Sequence, residues 1–482
     1  MADWLLLGFW IFLGLLSAAM WPMILLSRKQ PISMIAWLLS VTLLPLVGPV
    51  FYLVVGTNRE RWGLPRKKRR ADVRIRGSLR EVVPQVSRGT ADLSRVDPTS
   101  ASLLQMTERA GFDPVTGGNC AELLTHGSIK YDQLFEDIAA AKHHIHLEYF
   151  ILREDSTGQR LAETLGERAA AGVEVRLLLD GFGSRALSYT YLARLNSAGV
   201  RVEWFHPMNP FRRRWSLNIR NHRKVALVDG LIGYVGGINL GDDYLGMAPE
   251  VGEWFDLAVR LRGPAVHSLQ QVFGEDWHFA TGEQLLEKKY YHPVKPCPED
   301  TLVQIVTSGP TEMGEGLHQV YFNAITQARK RAWLTTPYFI PDEAFQAALC
   351  GAALRGVDVR VFVPQRTRTR LVDLASRSFI RQLLEAEVPI YHFRANAMLH
   401  AKALLIDDAF MVIGSANLDQ RSFRVNFETG AVVWDEAMAT ELEDYFELLR
   451  QNARLLSPED YHHRTWGRRT TEMIGRLLSP LF

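Results

Sequence analysis

Two copies of one short motif carry the residues that could do chemistry in this chain. Each copy reads H-x-K-x4-D and continues to a pair of small residues and an asparagine. The residues are His222, Lys224, Asp229 and Asn239 in the first copy, and His400, Lys402, Asp407 and Asn417 in the second. One such triplet arises by chance fairly often, whereas two copies with the same continuation are a specific signal.

These residue types fit a reaction at a phosphodiester. Two ammonium groups and two amide donors can hold a phosphate whose oxygens gain charge as a bond breaks. A neutral imidazole can attack phosphorus, while a second, protonated imidazole gives its proton to the leaving alcohol. A carboxylate behind each ring would fix its tautomer, and Asp256 and Glu428, in the strand that follows each motif, are the candidates. No metal is required.

Each motif is expected to begin a β-hairpin. His222 and Lys224 would share one face of a strand because side chains at i and i+2 point the same way. Asp229 precedes Gly230, and Asp-Gly is a favoured turn sequence. We therefore interpret Asp229 and Asp407 as turn and charge-network members of the catalytic motif. Two-residue turns at 229–230 and 407–408 would place Gly237 opposite His222 and Ser415 opposite His400.

The chain from about residue 130 onward contains an internal repeat. The matching segments are 145–152 with 333–341, 170–180 with 354–364, and 198–207 with 386–395. Strand-like and helix-like runs alternate, which predicts α/β units with helices packed on a sheet. A chain of 482 residues with 47% hydrophobic content can hold more than one such unit. Two copies of one unit usually form a pseudo-twofold pair, so a site on that axis would take residues from both halves.

The N-terminus is apolar over two consecutive segments. Residues 4–26 and 32–55 contain no charged residue, and each exceeds the roughly 20 residues that cross a bilayer. They predict a transmembrane helical hairpin. A cleaved signal peptide is the disfavoured alternative for the first segment, because it lacks a basic start and a second apolar segment follows directly.

Basic residues are unevenly placed around these segments. The connecting loop holds only Arg28 and Lys29, whereas nine basic residues follow the second segment. They are Arg59, Arg61, Arg66, Lys67, Lys68, Arg69, Arg70, Arg74 and Arg76. Positive residues beside a span stay cytoplasmic, so the rest of the chain is expected to face the cytoplasm. Contact with anionic lipid head groups is favoured over nucleic-acid binding for this cluster.

Three further features allow two interpretations each. Cys120, Cys297 and Cys350 are few and far apart, which favours free thiols in a reducing compartment over a disulfide framework. His144, His146 and Glu148 on one strand could bind a metal, but lining a phosphate cleft or making local hydrogen bonds is favoured. The basic, amphipathic tail at 465–482 could lie on a membrane surface or pack on the body as an ordinary helix.

The paired motif resembles that of the phospholipase D superfamily. HLEYFI, RNHRK, GGIN, TTPYFIP and GSANLDQRS further resemble the bacterial cardiolipin synthases of that superfamily, over essentially the whole chain. The resemblance implies transfer of a phosphatidyl group between two phosphatidylglycerol molecules at the bacterial inner membrane, with release of glycerol and without a cofactor or nucleic acid. It also implies roles for the named residues. His222 would be the nucleophile, His400 the general acid and base, Lys224, Lys402, Asn239 and Asn417 the phosphate ligands, and Asp256 and Glu428 the groups that orient the histidines.

The predicted organisation has five parts. They are two transmembrane helices (1–58), a basic juxtamembrane linker and entry segment (59–125), two pseudo-twofold-related α/β domains with mixed sheets flanked by helices (126–295 and 296–463), and a basic amphipathic tail (464–482). Two other functions use the same features. The same chemistry could hydrolyse a phospholipid or a nucleic acid, and a membrane scaffold could retain the fold without activity. Both motifs are intact, which argues against the scaffold.

Overall fold

The structure, a computed structural model, describes residues 2–27, 31–56, 64–82, 91–209, 216, 218–247, 252–311, 316–367, 369–462 and 464–477. Its N-terminal part is helical and leads to the first half of the chain through a short 3-10 helix, Leu93–Arg95. The helices are α1 (Ala2–Leu25), α2 (Pro31–Leu43), α3 (Val47–Phe51), a π-helical turn (Tyr52–Gly56), α4 (Leu64–Val82) and α5 (Pro98–Arg109).

The first half alternates strands and helices and ends in a long helix. Its elements are β1 (Thr116–Leu124), α6 (Gly127–Ala140), β2 (His144–Tyr149), α7 (Ser156–Ala170), β3 (Glu174–Leu179), α8 (Tyr189–Ser197), β4 (Arg201–Trp204), β5 (Lys224–Val228), β6 (Ile232–Gly236), β7 (Glu253–Phe255), β8 (Ala258–Arg262) and α9 (Ala265–Thr281). Two 3-10 helices lie at Asp242–Leu245 and Lys288–Tyr290.

The second half follows the same plan and adds elements at its end. They are β9 (Thr301–Ser308), α10 (Gly316–Gln327), β10 (Arg331–Thr335), β11 (Phe339–Ile340), α11 (Glu343–Leu354), β12 (Asp358–Pro364), α12 (Arg370–Glu385), β13 (Ile390–Phe393), β14 (Ala397–Leu399), β15 (Ala403–Ile406), β16 (Phe410–Gly414), β17 (Leu418–Asp419), α13 (Gln420–Arg424), β18 (Glu428–Trp434), α14 (Glu436–Gln451), β19 (Ala453–Leu455), α15 (Glu459–His462) and α16 (Trp466–Leu477).

One mixed sheet of 15 strands runs through both halves. Its order is β19-β13-β12-β10-β15-β16-β18-β9-β1-β8-β6-β5-β2-β3-β4. Apart from the edge strand β19, the two halves of the sheet contain equivalent strands in mirrored order, and β9 and β1 pair at the centre. The strands of the repeated segments, β2, β3 and β4 against β10, β12 and β13, occupy equivalent places. The predicted α/β fold with a mixed sheet is confirmed, while the domain boundaries stay predictions because the halves share one sheet.

Helices cover both faces of this sheet and explain why the motif strands β5 and β15 are continuous apolar runs after their lysines. Along β5, Val225 and Leu227 pack in the layer that contains α9 and α14, and Ala226 and Val228 pack in the layer that contains α6 and α7. Side chains alternate between the faces of a strand, so a strand covered on both sides reads as a continuous hydrophobic run.

The hairpins of the two motifs differ from the predicted register by one residue. Val228 pairs with Ile232 and Ile406 pairs with Phe410, so each hairpin has a three-residue loop. The predicted two-residue turns, and with them the pairs Gly237 with His222 and Ser415 with His400, are wrong. The register shifts because each loop contains one more residue than predicted. The loop begins with an aspartate in the left-handed region (φ 56° at Asp229).

The predicted transmembrane hairpin is not supported. Within the part of the chain that the structure describes, no helix is long and apolar enough to cross a membrane. The second apolar segment is divided between α2, which ends at Leu43, and α3, which begins at Val47. Residues 28–30 and 57–63, with the basic residues predicted to set the orientation there, lie outside the described residues.

The expectation of three free thiols is also wrong. Cys120 and Cys297 form a disulfide, although 177 residues separate them in the sequence. Cys120 lies on β1, and the chain returns past the same strand before β9, where the Cys297 amide donates to the Gly118 carbonyl at 2.9 Å. Cys350 is the free cysteine of the described residues.

Candidate active site

Each motif histidine is held by the half of the chain to which it does not belong. Asn221 forms a bridge with Phe427, and the His222 amide donates to the Phe427 carbonyl at 2.9 Å. In the same way β14 pairs with β7, and the His400 amide donates to the Phe255 carbonyl at 2.7 Å. These pairings bring both motifs to the carboxyl ends of β2 and β10, since β5 and β15 run antiparallel to those strands.

The carboxylates cross between the halves as well. The Nδ1 atom of His222 lies 3.0 Å from both carboxylate oxygens of Glu428, and Nδ1 of His400 lies 2.6 Å from Oδ2 of Asp256. Glu428 and Asp256 directly follow the two residues whose carbonyls hold the histidine amides. A carboxylate that accepts from Nδ1–H fixes the tautomer in which Nε2 carries the lone pair. In this tautomer the free lone pair of each ring is at Nε2.

Small residues create the room for these carboxylates. A side chain at Gly237 would overlap the carboxylate of Asp256, and one at Gly414 would meet the Thr429 carbonyl at 2.6 Å. The second half has Ser415 where the first has Gly237, and its hydroxyl donates to Glu428. Gly237 thus leaves room for the Asp256 carboxylate, and Gly414 lets β16 pack closely on β18, the strand that begins with Glu428.

The two lysines are buried beside the histidines. Nζ of Lys224 donates to the His222 carbonyl at 2.6 Å, and Nζ of Lys402 donates to the His400 carbonyl. Burial lowers the pKa of Lys224 to about 7 and that of Lys402 to about 8. Two buried lysines whose charges Glu428 and Asp256 compensate only in part would favour an anion between them.

Each histidine lies close enough to the other half's lysine to be affected by its charge. Burial lowers the pKa of His222, and the charge of Lys402 from the other half contributes. Burial and Lys402 lower the pKa of His400 to about 3, and Lys224 contributes from the first half. Both imidazoles are therefore neutral at neutral pH in this structure. An anionic phosphodiester between the lysines would offset their charge and raise both histidine pKa values.

The asparagines differ in their surroundings. Asn239 is engaged on both sides of its amide, accepting from the Ile151 amide at 3.1 Å and donating to the Tyr244 hydroxyl at 3.1 Å. Asn417 is buried, and its Oδ1 atom has no hydrogen-bond partner within the described residues. Phosphate binding by the two asparagines stays a prediction.

The motif aspartates lie at the far ends of the hairpins from the histidines. Asp229 accepts from the amides of Lys142, His143 and His144 at 2.7–3.0 Å, at the start of β2. Asp407 accepts from the amides of residues 329–331 at the start of β10. Each carboxylate ties its hairpin loop to the neighbouring strand, in agreement with a structural interpretation of the motif's third letter.

The histidines of β2 serve packing and local hydrogen bonds. His146 stacks on Phe273 of α9, with ring centroids 4.5 Å apart, and its Nδ1 lies 3.1 Å from the Gln270 amide. Burial lowers the pKa of His144 to about 4 and holds the pKa of His146 well below its usual range. Among the described residues the one cluster with metal-ligand spacing is Cys120, Cys297 and Glu299, and its two sulfurs form the disulfide.

Sequence reasoning missed the charged network behind the first motif. Arg223, the residue between His222 and Lys224, contacts Asp276 of α9 through Nη1 and donates from Nε to the Glu428 carbonyl at 3.3 Å. Asn221 donates to Glu148, which lies beside Asp276. No fixed spacing in the sequence connects β2, the motif and α9. The sole available signal was the presence of the acidic residues Glu148 and Asp276 themselves.

A duplicated α/β fold with two cross-braced His-x-Lys sites at one edge defines a phospholipase D-like protein. The chain matches the family described as "Cardiolipin synthase, PLD-like domain" over residues 134–277 and 321–450. These segments make up more than half of the chain, and the protein belongs to this family.

Full-length relatives agree with the family assignment. The cardiolipin synthase of Geobacillus kaustophilus (strain HTA426) is 38% identical over 98% of this chain and 95% of its own. The major cardiolipin synthase ClsA of Bacillus subtilis (strain 168) is 35% identical over 99% of both. Among solved structures, the phosphatidylserine synthase of Haemophilus influenzae has the same fold, with a TM-score of 0.60 over 78% of this chain and all of its own, at 16% identity.

Proposed function

We propose that this protein is a cardiolipin synthase that transfers a phosphatidyl group from one phosphatidylglycerol to the free hydroxyl of another and releases glycerol. The observation that carries the proposal is the paired, carboxylate-braced histidines, each beside a buried lysine, in a member of the cardiolipin synthase family. The two lysines hold the phosphodiester of the donor lipid between the halves of the chain.

In the first step Nε2 of His222 attacks the phosphorus, and the bond between phosphorus and the glycerol oxygen breaks. His400, protonated once the anionic phosphodiester is bound, gives its proton from Nε2 to the departing glycerol. Glu428 stabilises the positive charge that develops on the His222 ring. The product is a phosphatidyl-histidine at residue 222 and free glycerol.

In the second step the hydroxyl of a second phosphatidylglycerol attacks the same phosphorus. Nε2 of His400 takes the hydroxyl proton, and the bond between phosphorus and His222 breaks. Cardiolipin leaves, and both histidines return to their starting protonation states. Asp256 holds His400 in one orientation through both steps, so the same ring serves as acid and then as base.

The test uses purified full-length protein, phosphatidylglycerol with labelled glycerol, detergent and a chelator of divalent metals. Cardiolipin and labelled glycerol in equal amounts support the transferase. Phosphatidic acid as the single lipid product would mean hydrolysis, and cleavage of DNA in preference to lipid would mean a nuclease. His222→Ala and His400→Ala should each abolish turnover, and full activity in either variant would overturn the two-histidine mechanism.

Membrane association is part of the proposal. The outer surfaces of α1, α2 and α3 expose large apolar side chains, among them Trp10, Phe12, Leu15 and Leu39. The C-terminal helix α16 packs on α12 through Gly475 and keeps Trp466, Ile474 and Leu477 exposed, together with the basic residues Arg468 and Arg469. Such a helix suits an interface with anionic lipid.

The catalytic body would face the cytoplasm, at the inner membrane of a bacterium. The basic residues of α4 support this orientation because positive charge beside an apolar segment is retained on that side. The disulfide supports the opposite side, since disulfides are rare in the cytoplasm. Carbonate extraction tests whether residues 4–26 and 32–55 cross the bilayer, and protease protection of residue 482 in spheroplasts tests the side.

A further inference from the structure

Helix α4 carries a lysine that is removed from the lipid surface. Lys68 is 2% exposed, and its Nζ forms ion pairs with Asp276 of α9 at 2.7 Å and with Asp72 of its own helix at 3.0 Å. The same Nζ lies 5.3 Å from the centre of the Phe427 ring. A lysine in the basic segment after the apolar helices thus reaches the interface between the two halves, whereas the adjacent Lys67 is exposed.

The contacts of Lys68 lead to the supports of His222 by two short routes. Asp276 pairs with Arg223, and Arg223 donates to the carbonyl of Glu428, the residue that orients the His222 ring. Phe427, which lies under the ammonium group of Lys68, accepts the His222 amide. One residue of α4 therefore contacts Phe427 directly and is linked to Glu428 through Asp276 and Arg223.

The charges in this network depend on Lys68. Burial would raise the pKa of Asp276, but Arg223 and Lys68 outweigh it and hold that pKa well below its usual range. Burial and the neighbouring Asp276 raise the pKa of Glu148 well above its usual range. Asp276 is consequently the ionised acid of the pair. Two cations among the described side chains, Arg223 and Lys68, lower the pKa of Asp276. Without Lys68, Arg223 alone would remain.

We propose that Lys68 is a positioning residue for His222, and that α4 is therefore part of the catalytic unit. Residues 57–63 alone separate the end of the N-terminal apolar helices at Gly56 from the start of α4 at Leu64. Through Lys68, α4 contacts Phe427, whose carbonyl accepts the His222 amide. The inference rests on the proposed function, because its test measures cardiolipin synthesis.

The experiment compares Lys68→Met with Lys67→Met in the full-length protein. Both remove one charge from the same helix, so any effect of lowering the total positive charge of α4 is shared. We expect kcat of the Lys68→Met variant to fall about 10- to 100-fold, since a displacement of about 1 Å costs that much. KM should change less than about twofold, and the acid limb of the kcat–pH profile should move. Lys67→Met should match the wild type, and Lys68→Arg should recover most of kcat.

Equal kcat values and pH profiles in folded Lys68→Met and Lys67→Met would overturn the inference. If Lys68→Met does not fold, Lys68→Gln takes its place, because it removes the charge and keeps a polar group beside Asp276. It should show the reduced kcat with the altered pH profile, and a wild-type profile in that protein would equally overturn the inference. Failure of the wild type to make cardiolipin would refute the proposed function instead, which keeps the two outcomes apart.

Discussion

Gly237 and Asp256 are packed so closely that a Cβ atom at residue 237 would lie 2.1 Å from Oδ1 of Asp256. Gly237→Ala should therefore displace the carboxylate that holds His400 and lower kcat by about two orders of magnitude. The variant should still fold, because one side chain moves and the backbone does not. Assay of kcat with circular dichroism checks both points. Gly77→Ala, in open space on α4, is the control and should keep full activity.

The crossed carboxylates give a second prediction. Glu428→Gln and Asp256→Asn keep the shape of each group but can hold the wrong histidine tautomer, and each should lower kcat by about 10³-fold or more. Because Glu428 serves His222, its loss should suppress formation of the labelled phosphatidyl-enzyme in a rapid quench. Loss of Asp256 should slow both the formation of that intermediate and its release, because His400 acts in both steps. Identical intermediate levels in the two variants would contradict the division of roles.

The sequence was sufficient to predict the two motif histidines and the carboxylates that the structure places beside them, because each occurs twice at equivalent points of a repeat. It could not show that Glu428 serves His222 and Asp256 serves His400, since these pairs depend on strand pairing between residues far apart in the chain. The hairpin register was missed by one residue because Asp229 and Asp407 begin three-residue loops. Lys68 was grouped with lipid-facing residues because a run of basic residues does not reveal which member is buried.

Lys224 should contribute to activity at the expense of stability. Its pKa falls from 10.5 to about 7 on burial, so the unfolded chain binds a proton between these pH values that the folded protein does not. Stability therefore rises with pH across this window, and the whole cost, at most about 5 kcal/mol, is present below pH 7. Lys224→Met should be inactive, with a higher Tm than the wild type at pH 6.5. That gain should shrink towards pH 10.

The comparison is made by calorimetry at several pH values, with and without glycerol phosphate. The anion should raise the Tm of the wild type and leave Lys224→Met almost unchanged. A lower Tm for Lys224→Met at every pH would show that the hydrogen bond from Lys224 to the His222 carbonyl outweighs the burial of its charge.

The disulfide gives a prediction about redox conditions. Cys120–Cys297 closes a long segment of chain, and its reduction should lower the free energy of unfolding by about 2–4 kcal/mol. Dithiothreitol should lower the Tm of the wild type and of Cys350→Ser, and it should leave Cys120→Ser/Cys297→Ser unaffected. Thiol alkylation in intact cells reports the state in vivo. Free thiols at both positions would accord with a cytoplasmic body, and a closed disulfide would accord with the opposite side.

The exposed side of α16 gives the last prediction. Gly475 contacts the first turns of α12, which begins soon after β12 ends, so the C-terminal end of α16 lies at the same edge of the sheet as the active site. Leu477 is 79% exposed there, and Leu354 is 78% exposed at the end of α11, at the opposite edge. Burying one leucine in lipid contributes about 1.5–3 kcal/mol. Leu477→Ser should raise the apparent KM for phosphatidylglycerol in vesicles several-fold and leave kcat unchanged, while Leu354→Ser should change neither. Equal KM values for the two variants would mean that α16 does not contact the lipid from which the site takes its substrate.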